Sequence, residues 1–359
     1  MSHATRIASL IVACFAAAAL SACGGGGGGG NSSTPSSPGT GVSPPPPPPI
    51  SPPPPPPPPA TAACPSLQSG VDLFPEANAA SACTQGAVPL TESYAAGADH
   101  QFDLYRPTNL AGPFATVIWI HGGGWQSGSR ANVEQARRLV CRGYAVASID
   151  YRLSDVAPFP AQIHDVKAAI RYLRANASRL NLDPNRFATF GSSAGGHLSA
   201  LAATSSGVAA MEDLAMGNPT VSSAVQAGVD WYGPIDFSQM DTQLLAQSCP
   251  PGSATHSSAA SPESKLVGCT VAEASCAPSV RAANPVTYLG ANSPPLLILH
   301  GTTDCTVPTA QSDILKRAQD DAGRCAIRRN VVGAGHGGNE WFSAPVQDAV
   351  AAFLDNVLR

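Results

Sequence analysis

Charge is scarce in this 359-residue chain: Asp, Glu, Lys and Arg make up 12% of it, and the formal net charge is −4. No basic patch or arginine-rich run breaks that pattern. The electrostatic footprint that a phosphate backbone requires is therefore missing, and nucleic acid is excluded as a partner. A membrane-spanning run is also lacking. The apolar stretch from Ile7 to Leu20 has fourteen residues, which rise about 21 Å as a helix against a hydrocarbon core of about 30 Å. No cysteine pair stands at zinc-finger spacing from histidines, so a metal site is not expected.

What the first sixty residues do contain reads as export and spacing. Residues 1–22 have the form of a signal peptide, with a short polar start carrying Arg6, then the apolar stretch. Leu20-Ser21-Ala22-Cys23 resembles a bacterial lipobox, in which the cysteine takes a diacylglyceryl group and becomes the new N-terminus; ordinary cleavage near Ala22, with Cys23 a bystander, is the alternative. Two or more acyl chains tether stably where one does not. Residues 23–63 are a linker: Gly24–Gly30 is all glycine, and Pro44–Pro49 with Pro52–Pro59 place fourteen prolines in sixteen residues. Such proline runs adopt stiff polyproline II and reach about 50 Å here at about 3.1 Å per residue. The expectation is an exported protein, lipid-anchored in the cell envelope or secreted, whose membrane contact is that anchor alone.

Residues 64–359 are enough for one large core. His100–Arg106 alternates polar and apolar, as a strand with one wet face does. Ala115–Ile120, Tyr144–Ile149, Arg186–Phe190, Val225–Trp231, Pro295–His300 and Ala326–Val332 are short apolar runs that read as buried strands. Helical spacing separates them at Val133–Arg142, Asp165–Leu180, Ala194–Thr204, Gln311–Ala322 and Ala344–Leu358. This alternation predicts an α/β fold, a mostly parallel sheet covered by helices on both faces. Ligands then bind outside the carboxyl ends of the strands. Residues 238–282 lack sustained periodicity and are the candidate lid, or a plain surface elaboration.

Eight cysteines fall in residues 64–359, and in an exported chain they imply disulfides. Nearness in sequence favours Cys64–Cys83 and Cys305–Cys325, with one pair among Cys249, Cys269 and Cys276. Cys141 lies in an apolar helical run and is expected as a buried free thiol.

Gly191-Ser192-Ser193-Ala194-Gly195 sits between a predicted strand and a predicted helix. A Gly-x-Ser-x-Gly in that context makes a tight turn that lifts the serine over the sheet edge at a helix N-terminus. The glycine register selects Ser193 over Ser192. A serine needs a base, and the base an orienting acid. His336, in the glycine-rich loop after the last strand, is the expected base; His197 and His300 read as structural, and His256 falls in the irregular insert. Asp304, four residues beyond His300, is the expected acid, with Asp236 as runner-up. Asp230 lies within a strand and would point the wrong way. His121-Gly122-Gly123-Gly124 supplies convergent amides, so Gly123 and Gly124, with Ala194, are assigned to an oxyanion hole.

These motifs, with Asp150-Tyr151-Arg152-Leu153, Asp183-Pro184, Ser261-Pro262-Glu263-Ser264-Lys265 and His300–Asp304, resemble the α/β-hydrolase carboxylesterases of the hormone-sensitive-lipase and acetyl-xylan/feruloyl-esterase-like group from about Leu104 onward. The resemblance implies a Ser193–Asp304–His336 triad acting on carboxylic esters, small or polysaccharide-linked, without a cofactor. The chain departs from the group's pattern in lacking an N-terminal helical cap and in the extra cysteines of its insert. An arylformamidase-like amidase and a non-catalytic surface binding module remain the alternatives.

Overall fold

The apolar runs pair into one eight-stranded sheet. The computed structural model describes residues 69–76 and 83–359; the signal, Cys23, the whole linker and Cys64 lie outside the described residues. The strands are β1 (Leu90–Ser93), β2 (Gln101–Tyr105), β3 (Phe114–Ile120), β4 (Ala145–Ile149), β5 (Leu182–Ser192), β6 (Ala227–Trp231), β7 (Leu296–Gly301) and β8 (Ala326–Val331). Their order is β1-β2-β4-β3-β5-β6-β7-β8. β1 and β2 pair antiparallel, as do β2 and β4, and every later pair is parallel. β3 is buried along its whole length, which is why its sequence is an unbroken apolar run rather than an alternation. The edge at β8 is covered by residues 70–73, whose Gly70 and Leu73 amides donate to the Arg328 and Asn330 carbonyls.

The helices are α1 (Glu134–Arg137), α2 (Ala161–Ala175), α3 (Ala177–Leu180), α4 (Ala194–Thr204), α5 (Met240–Ala246), α6 (Pro262–Val267), α7 (Ala277–Ala283), α8 (Ala310–Asp321) and α9 (Ala344–Leu358). Successive strand residues face opposite cores. Ile118 and Ile120 pack with Val166 and Ile170 of α2 and Leu198 and Leu201 of α4. Val117 and Trp119 pack with Val350, Phe353 and Leu354 of α9. α4 is buried at every position, and its run of Ala, Gly and Leu lets it lie close under the sheet. The expected helix at Val133–Arg142 is α-helical only over α1 and tightens to 3₁₀ at Arg138–Arg142. The helix expected from Asp165 begins earlier, at Ala161, and breaks at Asn176.

Residues 238–282 are more regular than their composition suggests. They carry α5, α6 and most of α7. α6 has local reasons to form. The Ser261 side chain accepts the Ser264 amide at 3.0 Å, Pro262 fills a first-turn position, and left-handed Gly268 ends the helix.

The disulfides correct two expected pairings. Cys83 joins Cys141 and Cys249 joins Cys305, while Cys269–Cys276 is the one pair within the expected trio. Cys141 is not a buried thiol, because it sits on the exposed side of the 3₁₀ turn whose Leu139 and Val140 face the core. Cys305 and Cys325 cannot meet across a parallel pair. Cys325 precedes Ala326, which pairs with Leu296 at the amino end of β7, whereas Cys305 follows the carboxyl end of β7. The strand length between them is about 20 Å. Cys325 is itself disulfide-bonded.

Candidate active site

β5 ends at Ser192 and α4 begins at Ala194, so Ser193 alone makes the turn, at φ 55° and ψ −123°. A positive φ is costly for a residue with a side chain and persists only where the surroundings hold it. Here the Ser193 amide donates to the Trp231 carbonyl at 2.8 Å, and its carbonyl accepts the His197 amide at 3.0 Å. The flanking glycines are steric necessities. A Cβ on Gly191 would stand 2.1 Å from the Gly195 carbonyl oxygen, and one on Gly195 would stand 2.0 Å from the Ile120 carbonyl oxygen.

The three residues singled out from the motifs meet in one hydrogen-bonded chain. His336 Nε2 lies 2.8 Å from Ser193 Oγ, and its Nδ1 lies 2.8 Å from Asp304 Oδ2. Asp304 is fully buried, and its Oδ1 accepts the amides of Thr306 and Val307 at 2.8 and 3.0 Å. Burial works to raise the Asp304 pKa, but bonds from His300 and His336 outweigh it and hold the carboxyl well below the usual carboxylate range. The acid is therefore ionised at neutral pH and fixes a proton on His336 Nδ1. That leaves Nε2 free to take the serine proton.

His300 does more than pack. Its Nε2 lies 3.3 Å from Asp304 Oδ2 and 3.0 Å from the Val307 carbonyl, and its Nδ1 bonds Ser312 Oγ at 2.7 Å. Sequence position suggested only a structural role, and the i,i+4 spacing to Asp304 is the signal that could have shown the contact. Tyr232 sets its ring edge against His336 at 4.7 Å and against Trp341 at 4.4 Å. Trp341 in turn donates to the Gly335 carbonyl at 3.2 Å, bracing the histidine loop.

The rival groups are engaged elsewhere. Asp236 caps the turn at Phe237–Gln239 by accepting the Ser238 amide at 3.1 Å. His197 is buried with Nε2 on the Ala283 carbonyl, and burial pushes its pKa down to about 4. Asp230 is buried too, with Oδ1 on the Gly233 amide at 2.8 Å.

The glycine loop after β3 passes directly beside Ser193. A Cβ on Gly122 would come 3.3 Å from Ser193 Cβ. Among the described residues, the Gly123 and Gly124 amides donate to no acceptor, and the Ala194 amide opens the first turn of α4. The loop is held from behind by the Asp150-Tyr151-Arg152 segment. The Tyr151 ring stacks on His121 at 4.3 Å and its hydroxyl donates to the His121 carbonyl at 3.0 Å. Asp150 accepts the Arg130 amide at 2.7 Å, while the Arg152 guanidinium grips buried Asp165.

All of this opens on a cavity of about 590 Å³, lined by the glycine loop, Ser193, Tyr232 and His336, with Asn132, Gln135 and Thr306 among its polar walls. The insert contributes His256, Pro262 and Glu263 to the same cavity. Sequence reasoning set His256 aside and gave Glu263 no role. The helix signature at Ser261-Pro262-Glu263-Ser264 was the available clue that this stretch is ordered.

Strand order, the turn at Ser193 and the loop positions define an α/β-hydrolase. The chain belongs to the BD-FAE family, which it matches over residues 102–318. It is 34% identical over 272 residues to Esterase LipC of Mycobacterium tuberculosis, covering 72% of this chain and 62% of that protein. Esterase LipQ of the same organism is 32% identical over 237 residues, covering 64% of this chain and 52% of its own length. The chain thus spans about half to three-fifths of the length of these curated relatives. Among solved structures, a truncated form of a carbohydrate esterase from gut microbiota shares 31% identity at a TM-score of 0.67, covering 78% of this chain and 100% of that one.

Proposed function

We propose that this chain is a serine hydrolase of carboxylic esters that works through an acyl-enzyme. The observation that carries the reading is the bonded chain Ser193–His336–Asp304, with 2.8 Å at each link, beside a strained turn and glycine-loop amides that donate to no acceptor among the described residues. In the first half-reaction Ser193 Oγ attacks the ester carbonyl while its proton passes to His336 Nε2. The oxyanion takes hydrogen bonds from the amides of Ala194, Gly123 and Gly124, each donor contributing about 100- to 1,000-fold in rate. His336 then gives the proton to the leaving alcohol. In the second half-reaction the same histidine takes a proton from water, which attacks the acyl carbonyl and frees Ser193.

Esters carried on polysaccharide, acetyl or feruloyl, are the proposed substrates. The similarity to a carbohydrate esterase supports them, as does a cavity larger than an acetyl group needs. The test is labelling of Ser193 by a fluorophosphonate together with parallel ester and amide assays, with Ser193→Ala as control. Label on Ser193 and ester turnover are expected; turnover of amides only, or no label, overturns the proposal. The export reading rests on sequence: cleavage after Ala22 and lipid on Cys23 predict a diacylglyceryl-modified cysteine at the mature N-terminus. Intact mass of the membrane fraction checks this, and an unmodified N-terminus refutes it.

A further inference from the structure

A second histidine–carboxylate pair stands in the wall of the same cavity. His256 Nδ1 lies 2.9 Å from Glu263 Oε1, and the two residues are only 9% and 3% exposed. His256 lines the cavity together with Thr306, on the loop that carries Asp304. Burial disfavours its charged form, but the Glu263 bond and the charges of Glu263 and Asp241 leave its pKa raised. The pair is therefore a fixed contact within the insert, with the imidazole donating to Oε1. The second carboxylate oxygen, Glu263 Oε2, has no partner among the described residues. A buried carboxylate oxygen without a donor costs the fold more than a neutral group would, and such atoms need an explanation. The position of the residue supplies one. Glu263 follows Pro262, which lies against Gly124 closely enough that a Cβ there would come 3.3 Å from Pro262 Cβ. Both line the cavity that opens on Ser193.

We infer that Glu263, held in place by His256, is the acceptor for a hydroxyl of the substrate and so makes the enzyme selective for hydroxyl-bearing esters. The inference rests on the ester-hydrolase reading and adds the specificity of the same site. A carboxylate accepts and cannot donate, so the group it recognises must carry an O–H. A sugar hydroxyl next to the ester is one source, and the phenol of an aromatic acyl group is the other. Neither residue touches the reacting atoms: Glu263 is a specificity residue and His256 its positioning partner.

The experiment compares matched ester pairs that differ only in that hydroxyl. One pair is an acetylated methyl glycoside with its neighbouring hydroxyl free or capped as a methyl ether. The other is methyl 4-hydroxy-3-methoxycinnamate and its 4-O-methyl ether. The wild type should prefer the free hydroxyl in one pair by about tenfold to a hundredfold in kcat/KM, the range of a charge-assisted hydrogen bond. In Glu263→Gln, which puts a donor in place of the acceptor at the same volume, that preference should collapse to within about threefold of unity. The change should appear mainly in KM. Glu263→Asp, which keeps the carboxylate but withdraws it, should fall between, and His256→Gln should lose part of the preference. A merely structural role would lower both members of a pair together and leave their ratio unchanged, which overturns the inference. So does a wild type with no preference in either pair. A wild type that turns over neither pair nor a plain aryl acetate removes the ester-hydrolase reading, and this inference with it.

Discussion

Replacing Asp304 by asparagine isolates the charge on which the Ser193–His336 pair depends. An asparagine oxygen can keep the two amide bonds that Oδ1 accepts from Thr306 and Val307. Oδ2, which faces His336 and His300, would become an N–H aimed at N–H. His336 must then carry its proton on Nε2, where it can no longer receive one from Ser193. Loss of the correct tautomer in such an arrangement costs about 10⁴ in kcat, equal to about 5 kcal/mol of transition-state stabilisation. The assay is kcat on a soluble aryl ester, with thermal unfolding recorded alongside. Asp236→Asn is the control, since its carboxylate bonds Ser238 and Gln239. It should stay within about twofold of wild type, as a surface change does. Acid titration adds a second check. The folded Asp304 pKa is depressed, so its contribution to stability is present above about pH 3.9, the unfolded value, and is lost as pH falls toward the folded one. Wild type should show that loss and Asp304→Asn should not. Abolished turnover in Asp236→Asn with turnover retained in Asp304→Asn would falsify the assignment.

Two further outcomes follow from buried groups outside that chain. Burial pushes Asp230 up to about 7, against the lowering effect of the Gly233 amide. The folded protein therefore keeps a proton that the unfolded chain releases near pH 3.9, and stability should fall by about 4 kcal/mol as pH rises from about 4 to 7. Denaturant unfolding at the two ends of that window should show the loss in wild type and a smaller one in Asp230→Asn; equal slopes refute it. Removing the Cys249–Cys305 bond by a double serine substitution opens a crosslink of sequence separation 56. Chain entropy alone puts the cost at about 4 kcal/mol, or about 10 °C in Tm. An unchanged Tm in the double variant would show that the insert is held without it.

Most of the fold was legible because it obeys two periods. The run of β3 and the small-residue run of α4 state their surroundings directly, since a strand buried on both faces and a helix buried all round have little choice of residue. The site was legible for a different reason. Gly191 and Gly195 are fixed by carbonyl oxygens that would stand 2.1 and 2.0 Å from an added Cβ, so the motif is a steric statement that survives in one dimension. What could not be read were contacts between segments far apart in the chain. Nothing in the sequence near Tyr232 says that its ring meets His336, 104 positions later. β1 escaped notice because an edge strand with alternating half-buried and exposed residues offers a weak apolar signal.

The cysteines show how that blindness matters for specificity. Pairing neighbours assumes that a disulfide closes a local loop, and Cys269–Cys276 does so. The parallel sheet defeats the assumption for Cys305, since each strand begins at the same end and a cysteine after one strand is remote from a cysteine before the next. Cys305 instead reaches sideways to Cys249 in the insert. Beside it, Gln247 donates to the Asp304 carbonyl at 2.7 Å and accepts the Thr309 amide at 3.0 Å. The disulfide and the Gln247 bonds thus tie residues 247–249 to the loop that holds the acid. A segment tied in this way is poorly suited to swing open as a lid. It is well suited to hold Glu263 at a fixed place in the cavity wall, where a small displacement would change which ester is accepted while leaving the Ser193–His336–Asp304 geometry as it is.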